Sequence, residues 1–383
     1  MRICSILTSF TYGGAETLVL NLSRQFRASG HDANVVALCD AASVGNSASA
    51  QDSIMSRAAA DGVPVRSLGI VNRRKPWAGA VSLRREIARL QPDVVHAHTA
   101  RAIPMLWLAG VRVPVVLTHH NSRFNFPPWL FRLLDRKVDA YVAIGPACAA
   151  LIRRHARRHV ADIINAASED FRVAAPRRAA AQDFTVLSVG ALTAQKDYPT
   201  LIRAASILDR AARHRGRRVR VRVAGGGPLM DALRTRIAEE GVDDVVELLG
   251  PRSDVSELMS RADVFANSSH YEGLPIAVLE ALSSGLPIVA TDVPGNGDLI
   301  RDGANGLLVP PSDPQALADR LMQVIEDDAL YASLSAGAIG AASRFTIGAC
   351  AEQHLELYAA LVEARQRRTG LSVSASSASL RRA

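Results

Sequence analysis

The chain is short of cysteine, lysine and long apolar runs. Its four cysteines (Cys4, Cys39, Cys148 and Cys350) are scattered and form no C-x-x-C pair. That spacing excludes a disulfide framework and a zinc knuckle, and it fits a reducing cytoplasm. No apolar run reaches the roughly 18–20 residues that a membrane-spanning helix needs. The apolar start, Arg2 to Phe10, runs into Gly13 and Gly14 without a small-residue cleavage site, so it does not read as a signal peptide. The first glycine-rich turn, Tyr12–Glu16 (YGGAE), lacks the G-x-G-x-x-G spacing of a dinucleotide fold, which argues against a dehydrogenase.

At 383 residues, two ordinary domains fit, each burying its own core. The net charge of +8 is unevenly spread. Residues 1–165 carry 21 basic and 10 acidic side chains, a net of +11; residues 166–345 carry 19 and 24, a net of −5. A basic first half points to an anionic partner, such as lipid headgroups or a phospholipid acceptor. Arg73–Lys75 beside Trp77, Arg132, Arg136 and Lys137 near Trp129 and Phe131, and Arg153, Arg154, Arg157 and Arg158 are the candidate contacts. Nucleic acid is disfavoured, because no stacking platform or recognition helix accompanies the charge. Only three of the 45 basic residues are lysines, so a general arginine bias decorating solvated faces is the competing reading.

Short β-branched runs alternate with amphipathic stretches. Strands are expected at Arg2–Thr8, Asn34–Leu38, Val63–Leu68, Asp93–Ala97, Val113–Thr118 and Ala140–Ile144, with helices between them, for example Trp77–Leu90. Residues 41–60 read as a loop with one helix at most. A linker is expected over 166–183. The rhythm restarts with strands at Thr185–Val189, Arg218–Ala224, Val245–Leu249, Val264–Ala266 and Pro287–Thr291. This order predicts an α/β fold of two doubly wound domains, 1–165 and 184–345, facing across a cleft. A last helix over 346–365 and a disordered tail over 366–383 complete the expectation.

The strongest chemical signal is Tyr271–Gly285, YEGLPIAVLEALSSG, where seven residues separate Glu272 from Glu280. Pro275 suits the first helical position and Gly285 the position after the helix. Glu272 and Gly273 then sit in the turn feeding a helix N-terminus, whose free amides and dipole suit a phosphate. Either glutamate is suited to accept hydrogen bonds from a vicinal diol. Lys196, in the loop after the strand VLSVG, offers a point charge to a diphosphate. The AGGGP turn, Ala224–Pro228, is a weaker signal: glycines admit a ligand or merely a tight turn. His96, His98, His119 and His120 cluster near strand ends, without a carboxylate or cysteine at ligand spacing, so they read as polar cleft residues rather than metal ligands. The chain also has no Asp-x-Asp.

Together these pieces closely resemble the family 4 glycosyltransferases of GT-B fold, over about residues 2–365. The resemblance rests on GGAE (13–16), DVVHAHT (93–99), LTHHNS (117–122), VGALTAQKDYPTLIRA (189–204), VAGGGP (223–228), EGLPIAVLEAL (272–282) and LPIVATDVPGNGDLI (286–300). It implies a retaining transfer of a sugar from a UDP- or GDP-sugar to a glycan or lipid-linked acceptor, in bacterial polysaccharide or lipopolysaccharide synthesis, with no metal and no other cofactor. By the same resemblance Glu272 and His120 flank the transferred sugar. Gly14, Lys196, Arg252 and Gly273–Ile276 (Gly273, Leu274, Pro275 and Ile276) contact the donor, and Glu280 holds the ribose. Gly13, Glu16 and His98 fall on the acceptor side, and the last helix crosses back onto the first domain. The expected setting is cytoplasmic, at the inner face of the plasma membrane.

Three residues depart from the family pattern. Ala191 stands where a cation for the diphosphate is usual, Asn165-Ala166-Ala167-Ser168 replaces NG-x-D, and Asp298 replaces the usual glutamate. The missing cation leaves Arg252 as a replacement. It also keeps open a non-catalytic subunit of a glycan-synthesis complex. An epimerase of the same architecture is the other rival.

Overall fold

The computed structural model describes residues 1–369 apart from 12, 46–47, 71–75, 121–127, 174 and 177–182. Two wholly parallel sheets carry the fold. The first holds β1 (Arg2–Leu7), β2 (Asp32–Ala37), β3 (Val65–Ser67), β4 (Val94–Ala97), β5 (Val115–His119), β6 (Ala140–Ala143) and β7 (His159–Asp162). Their spatial order is β3-β2-β1-β4-β5-β6-β7. The second holds β8 (Asp183–Val189), β9 (Arg218–Ala224), β10 (Val246–Gly250), β11 (Val264–Asn267), β12 (Ile288–Thr291) and β13 (Leu307–Val309), in the order β10-β9-β8-β11-β12-β13. Every residue of β4, β6, β11 and β12 is buried. That is why these runs are apolar throughout rather than alternating: helices cover both faces.

The helices of the first half are α1 (Gly14–Ala28), α2 (Ala48–Ala60), α3 (Pro76–Leu90), α4 (Ala102–Leu108), α5 (Pro128–Leu134) and α6 (Pro146–Arg153). Those of the second are α7 (Tyr198–Arg213), α8 (Met230–Glu240), α9 (Val255–Arg261), α10 (Ile276–Ser283), α11 (Pro294–Gly297), α12 (Pro314–Glu326) and α13 (Asp328–Ala342), and α14 (Ile347–Thr369) ends the described chain. Local chemistry sets their ends. Asp313 caps α12 by accepting from the Ala316 amide, with Pro314 in the first turn. Gly285, at φ +64°, takes the left-handed step just past α10. Buried Leu18, Leu22 and Phe26 form the inner stripe of α1 at helical spacing.

Each sheet reverses its winding once, between β1 and β4 and between β8 and β11. Loops diverge at such a switch point and leave a crevice at the carboxyl ends of the strands. The loops that open there are 8–13 and 98–101 in the first half, and 190–197 and 268–275 in the second. These are the segments that carry the glycine pair, His98, Lys196 and Glu272. The chain crosses between the halves twice, side by side: Ala167, after β7, bridges in parallel to Thr346, just before α14. Helix α14 then packs on α1, where Tyr358 and His354 meet the edge of the Phe26 ring. One buried cluster is continuous through both halves, from Ile3 and Phe26 to Phe265, Ile276 and Tyr358.

Two short strands, β7 and β13, and helix α13 have no counterpart in the sequence reading. Residues 41–60 hold a 3-10 turn at Ala42–Val44 and then α2. The last part of the expected tail, residues 370–383, lies outside the described residues.

Candidate functional site

A cavity of about 620 Å³ lies where the two switch points face each other. Gly13, Gly14, Glu16 and His120 line it from the first half. Lys196, Arg252, Glu272, Leu274, Pro275, Ile276 and Glu280 line it from the second. Contact between the halves is close: a Cβ at Gly14 would lie 3.1 Å from Cγ1 of Ile276. A side chain at Gly14 would require Ile276, at the start of α10, to give way by a few tenths of an ångström.

Glu272 is held from several sides. Its Oε1 accepts from Lys196 Nζ at 2.5 Å, Ser269 Oγ at 2.7 Å and Asn267 Nδ2 at 3.4 Å; its Oε2 accepts from Gln195 Nε2 at 3.4 Å. The Lys196 side chain is 18% exposed and that of Glu272 5%, so the pair is shielded but reachable from the cavity. Behind it, Asn296 Nδ2 donates to Asn267 Oδ1 and to the Thr291 carbonyl. Gly295 packs so tightly on the 272–273 turn that a Cβ there would sit 2.7 Å from the Gly273 carbonyl oxygen. Gln195, Asn267, Ser269 and Asn296 escaped the sequence reading. The runs NSSH (267–270) and PGN (294–296) beside the glutamate motif were the available signal.

Glu280, the fifth residue of α10, reaches the cavity wall. Burial pushes its carboxyl up to about 8, with Arg57 the only charge acting the other way. Burial likewise pushes Glu16 up to about 7, against hydrogen bonds from its own backbone and from Thr11. The amides of the first turn of α10 have no partner inside the helix, and its dipole adds partial positive charge at that end. The helix N-terminus and Lys196 therefore offer donors to the cavity, and Glu272 and Glu280 offer carboxyl oxygens.

Several expectations need correction. Gly273 is not on the cavity wall; its carbonyl packs beneath Gly295. His98 does not face the cavity either. It lies buried behind His120, with Nδ1 3.2 Å from His120 Nε2. The two rings stack at 5.4 Å, and His96 continues the column at 4.0 Å from His98. His96 is held by Tyr358 Oη at 2.5 Å and Thr118 Oγ1 at 2.7 Å, while His354 hydrogen-bonds the Cys350 carbonyl. Burial drives these four imidazoles to the neutral form, His120 to about 3 and His354 to about 4, with neighbouring histidines adding to the shift at His96, His98 and His120. Arg252 reaches the cavity, but Asp254 occupies its fork, Nε to Oδ1 at 2.8 Å and Nη2 to Oδ2 at 2.5 Å. The pair is partly exposed on both sides, and such pairs are weak, so Arg252 can still turn to an anion in the cavity. The glycines of AGGGP are required by backbone packing: a Cβ at Gly225 would lie 1.9 Å from the Gly190 carbonyl oxygen. Among the described residues no group of three or more His, Cys, Asp or Glu is placed to hold a metal ion.

Two facing parallel sheets with a cavity between their switch points are the GT-B architecture. The comparisons agree. The family model Glycosyltransferase Family 4 matches residues 12–184, and Glycosyl transferases group 1 matches 173–340. The alpha-D-kanosaminyltransferase of Streptomyces kanamyceticus is 30% identical over 310 residues, which cover 72% of this chain and 78% of that one. The amylovoran biosynthesis glycosyltransferase AmsK of Erwinia amylovora is 33% identical over 161 residues, 40% of this chain and 39% of that one. Some curated relatives are matched over much less of their length, down to 16%. Anabaena HepE, solved in complex with UDP-glucose, superposes with a TM-score of 0.79 at 22% identity, covering 94% of this chain and all of that one. The chain belongs to glycosyltransferase family 4.

Proposed function

We propose that the protein moves a sugar from a nucleotide diphosphate sugar, with UDP or GDP as the nucleotide, to a glycan or lipid-linked acceptor with retention of anomeric configuration. The observation that carries this reading is the Lys196–Glu272 pair beside the N-terminus of α10, with Glu280 on the same wall. Relatives named for polysaccharide assembly support an acceptor of that class.

In this reading the diphosphate takes Lys196 and the first-turn amides of α10, and Glu280 takes the ribose diol. Glu272 and His120 hold the sugar. The bond from the anomeric carbon to the phosphate oxygen breaks as the acceptor oxygen bonds to the same face, and the departing diphosphate takes the acceptor proton. Catalysis rests on charge stabilisation at the leaving group and on orientation. A screen of UDP-, GDP- and ADP-sugars by thermal shift, followed by product analysis, tests it. Conversion of a nucleotide sugar to its epimer without acceptor, or absence of any transfer or donor hydrolysis, overturns it.

Lys196→Ala is expected to weaken UDP or GDP binding by about 1.5–3 kcal/mol, the range for a hydrogen bond to a charged group. The loss should fall near the top of that range. Ala191 supplies no second cation, Arg252 must leave Asp254 to help, and Glu272 is left as a shielded carboxylate beside the phosphates. Calorimetry showing unchanged affinity contradicts the assignment.

Turnover is also expected to survive chelators, because Lys196 and the helix amides meet the leaving-group charge. Loss of activity in EDTA with recovery on adding a divalent ion refutes that.

A further inference from the structure

We infer that the outer face formed by α3 and α4 docks on an anionic lipid surface. The two helices pack directly on each other: a Cβ at Gly79 of α3 would lie 2.9 Å from Met105 Sδ of α4. Their inner faces are spent on the core, through Ala80 and Leu83 of α3 and Ile103 and Leu106 of α4. Their outer faces are not. Trp77 is 61% exposed, Val81 52%, Trp107 47% and Leu108 57%. These are four of the six exposed large hydrophobic residues among those described, so the apolar surface is concentrated at one place.

Charge decides what covers it. Arg84 and Arg85 on α3, Arg101 just before α4 and Arg112 just after it are all exposed. None has a carboxylate partner among the described residues. The single acid of α3, Glu86, is buried and already taken by Arg66 and Arg89, and α4 has none. Some arginines elsewhere on the surface are paired, such as Arg213 with Asp209 and Asp244, Arg222 with Glu247 and Arg261 with Glu257; others, such as Arg218, Arg220 and Arg301, are not, but no exposed large hydrophobic residue among those described lies on their elements. An apolar ridge flanked by uncompensated cations suits phosphate headgroups above an acyl layer, and indole rings favour that boundary. A second copy meeting this face about a two-fold axis would bring the same four cations together, which disfavours a dimer.

The other basic clusters have uncompensated arginines too, Arg132, Arg136 and Arg154, but much less exposed apolar surface: Leu133 is the one exposed large hydrophobic residue among the described residues of α5 and α6. Phe131 is buried and stacked on Tyr141. Arg153 pairs with Asp162, the Arg157 backbone amide donates to the Asp135 carboxylate, and the Arg158 guanidinium donates to the Asp135 carbonyl. Arg73, Arg74, Lys75 and the side chain of Trp129 lie outside the described residues.

The test is flotation with phosphatidylcholine vesicles, with and without phosphatidylglycerol. Wild-type protein should float with the anionic vesicles only, and should be released at about 1 M salt, where the Debye length is about 3 Å. Trp77→Ser with Trp107→Ser, and separately Arg84→Gln with Arg85→Gln, should each cut the bound fraction at least tenfold. Melting temperature and nucleotide binding should not change, since no substituted residue lines the cavity. Absence of wild-type binding to anionic vesicles overturns the inference, as does equal binding by both variants. So does a dimer in sedimentation that the tryptophan variants dissociate. None of these results bears on the catalytic reading, which donor turnover with a water-soluble acceptor checks separately.

Discussion

Glu272→Gln is expected to lower sugar transfer about 100-fold or more while nucleotide affinity holds or rises. The two effects have separate causes. In the ligand-free protein Oε1 of Glu272 takes bonds from Lys196, Ser269 and Asn267. A glutamine keeps one oxygen for those donors but places an amide where Oε2 stood. That amide faces the side-chain nitrogen of Gln195, which is already donating to the Tyr271 carbonyl. Two donors then oppose each other, and the side chain turns. Misplacement by about 1 Å of a group that orients a reacting sugar costs on the order of 100-fold. Lys196 meanwhile loses its counter-charge and is freer to meet a diphosphate. The diagnostic result is a fall in kcat with the UDP or GDP dissociation constant unchanged or lowered. Wild-type kcat would remove Glu272 from the sugar site. An equal loss in binding and turnover would place it at the nucleotide.

What could be read without coordinates followed from how local each signal is. Glu272, Glu280, Lys196 and the glycine turns sit in contiguous motifs whose helix starts and stops are written beside them. A parallel sheet with one switch point brings its diverging loops to one crevice. Placing those motifs after β1, β8 and β11 was enough to bring them together. Gln195, Asn267, Ser269 and Asn296 are short polar residues in loops. Only the folded chain shows that three of them bond the same carboxylate and that Asn296 braces one of those three from behind. His98 was misplaced because a strand-end position gives no depth: it is behind His120, not beside the cavity. Phe131 was misplaced because a two-turn helix does not reveal which side is covered. Strands β7 and β13 are edge strands of four and three residues, too short for a period to register. Arg252 looked free because its partner, Asp254, is two residues away in a loop of undefined geometry.

Stability is expected to peak near pH 6.5 and to fall by about 3 kcal/mol on acidification to pH 5. The sign follows from six buried groups. His96, His98, His120 and His354 are held neutral in the folded protein, well below their usual 6.5. Their contribution is intact above 6.5 and is lost as pH falls, because the unfolded chain takes up protons that the column cannot accept. Glu16 and Glu280 act the opposite way. Their folded values, about 7 and about 8, lie above the usual 4.5. Above 4.5 the unfolded chain releases these two protons while the folded protein keeps them, so their contribution weakens as pH rises towards 7 and 8. Between about 4.5 and 6.5, unfolding therefore binds four protons and gives up two. The net uptake of two corresponds to about 2.7 kcal/mol per pH unit once the histidines of the unfolded chain are fully charged. Above 6.5 only the glutamates remain, and the slope reverses. His354→Gln, which keeps a side-chain donor near the Cys350 carbonyl, should halve the acid slope by reducing the net uptake from two protons to one. Denaturant unfolding at pH 5, 5.5 and 6.5 measures this directly. Stability that instead rises from pH 6.5 to pH 5 would mean that the imidazole column is hydrated and titrates as it does in the unfolded chain, leaving only the two glutamates to act.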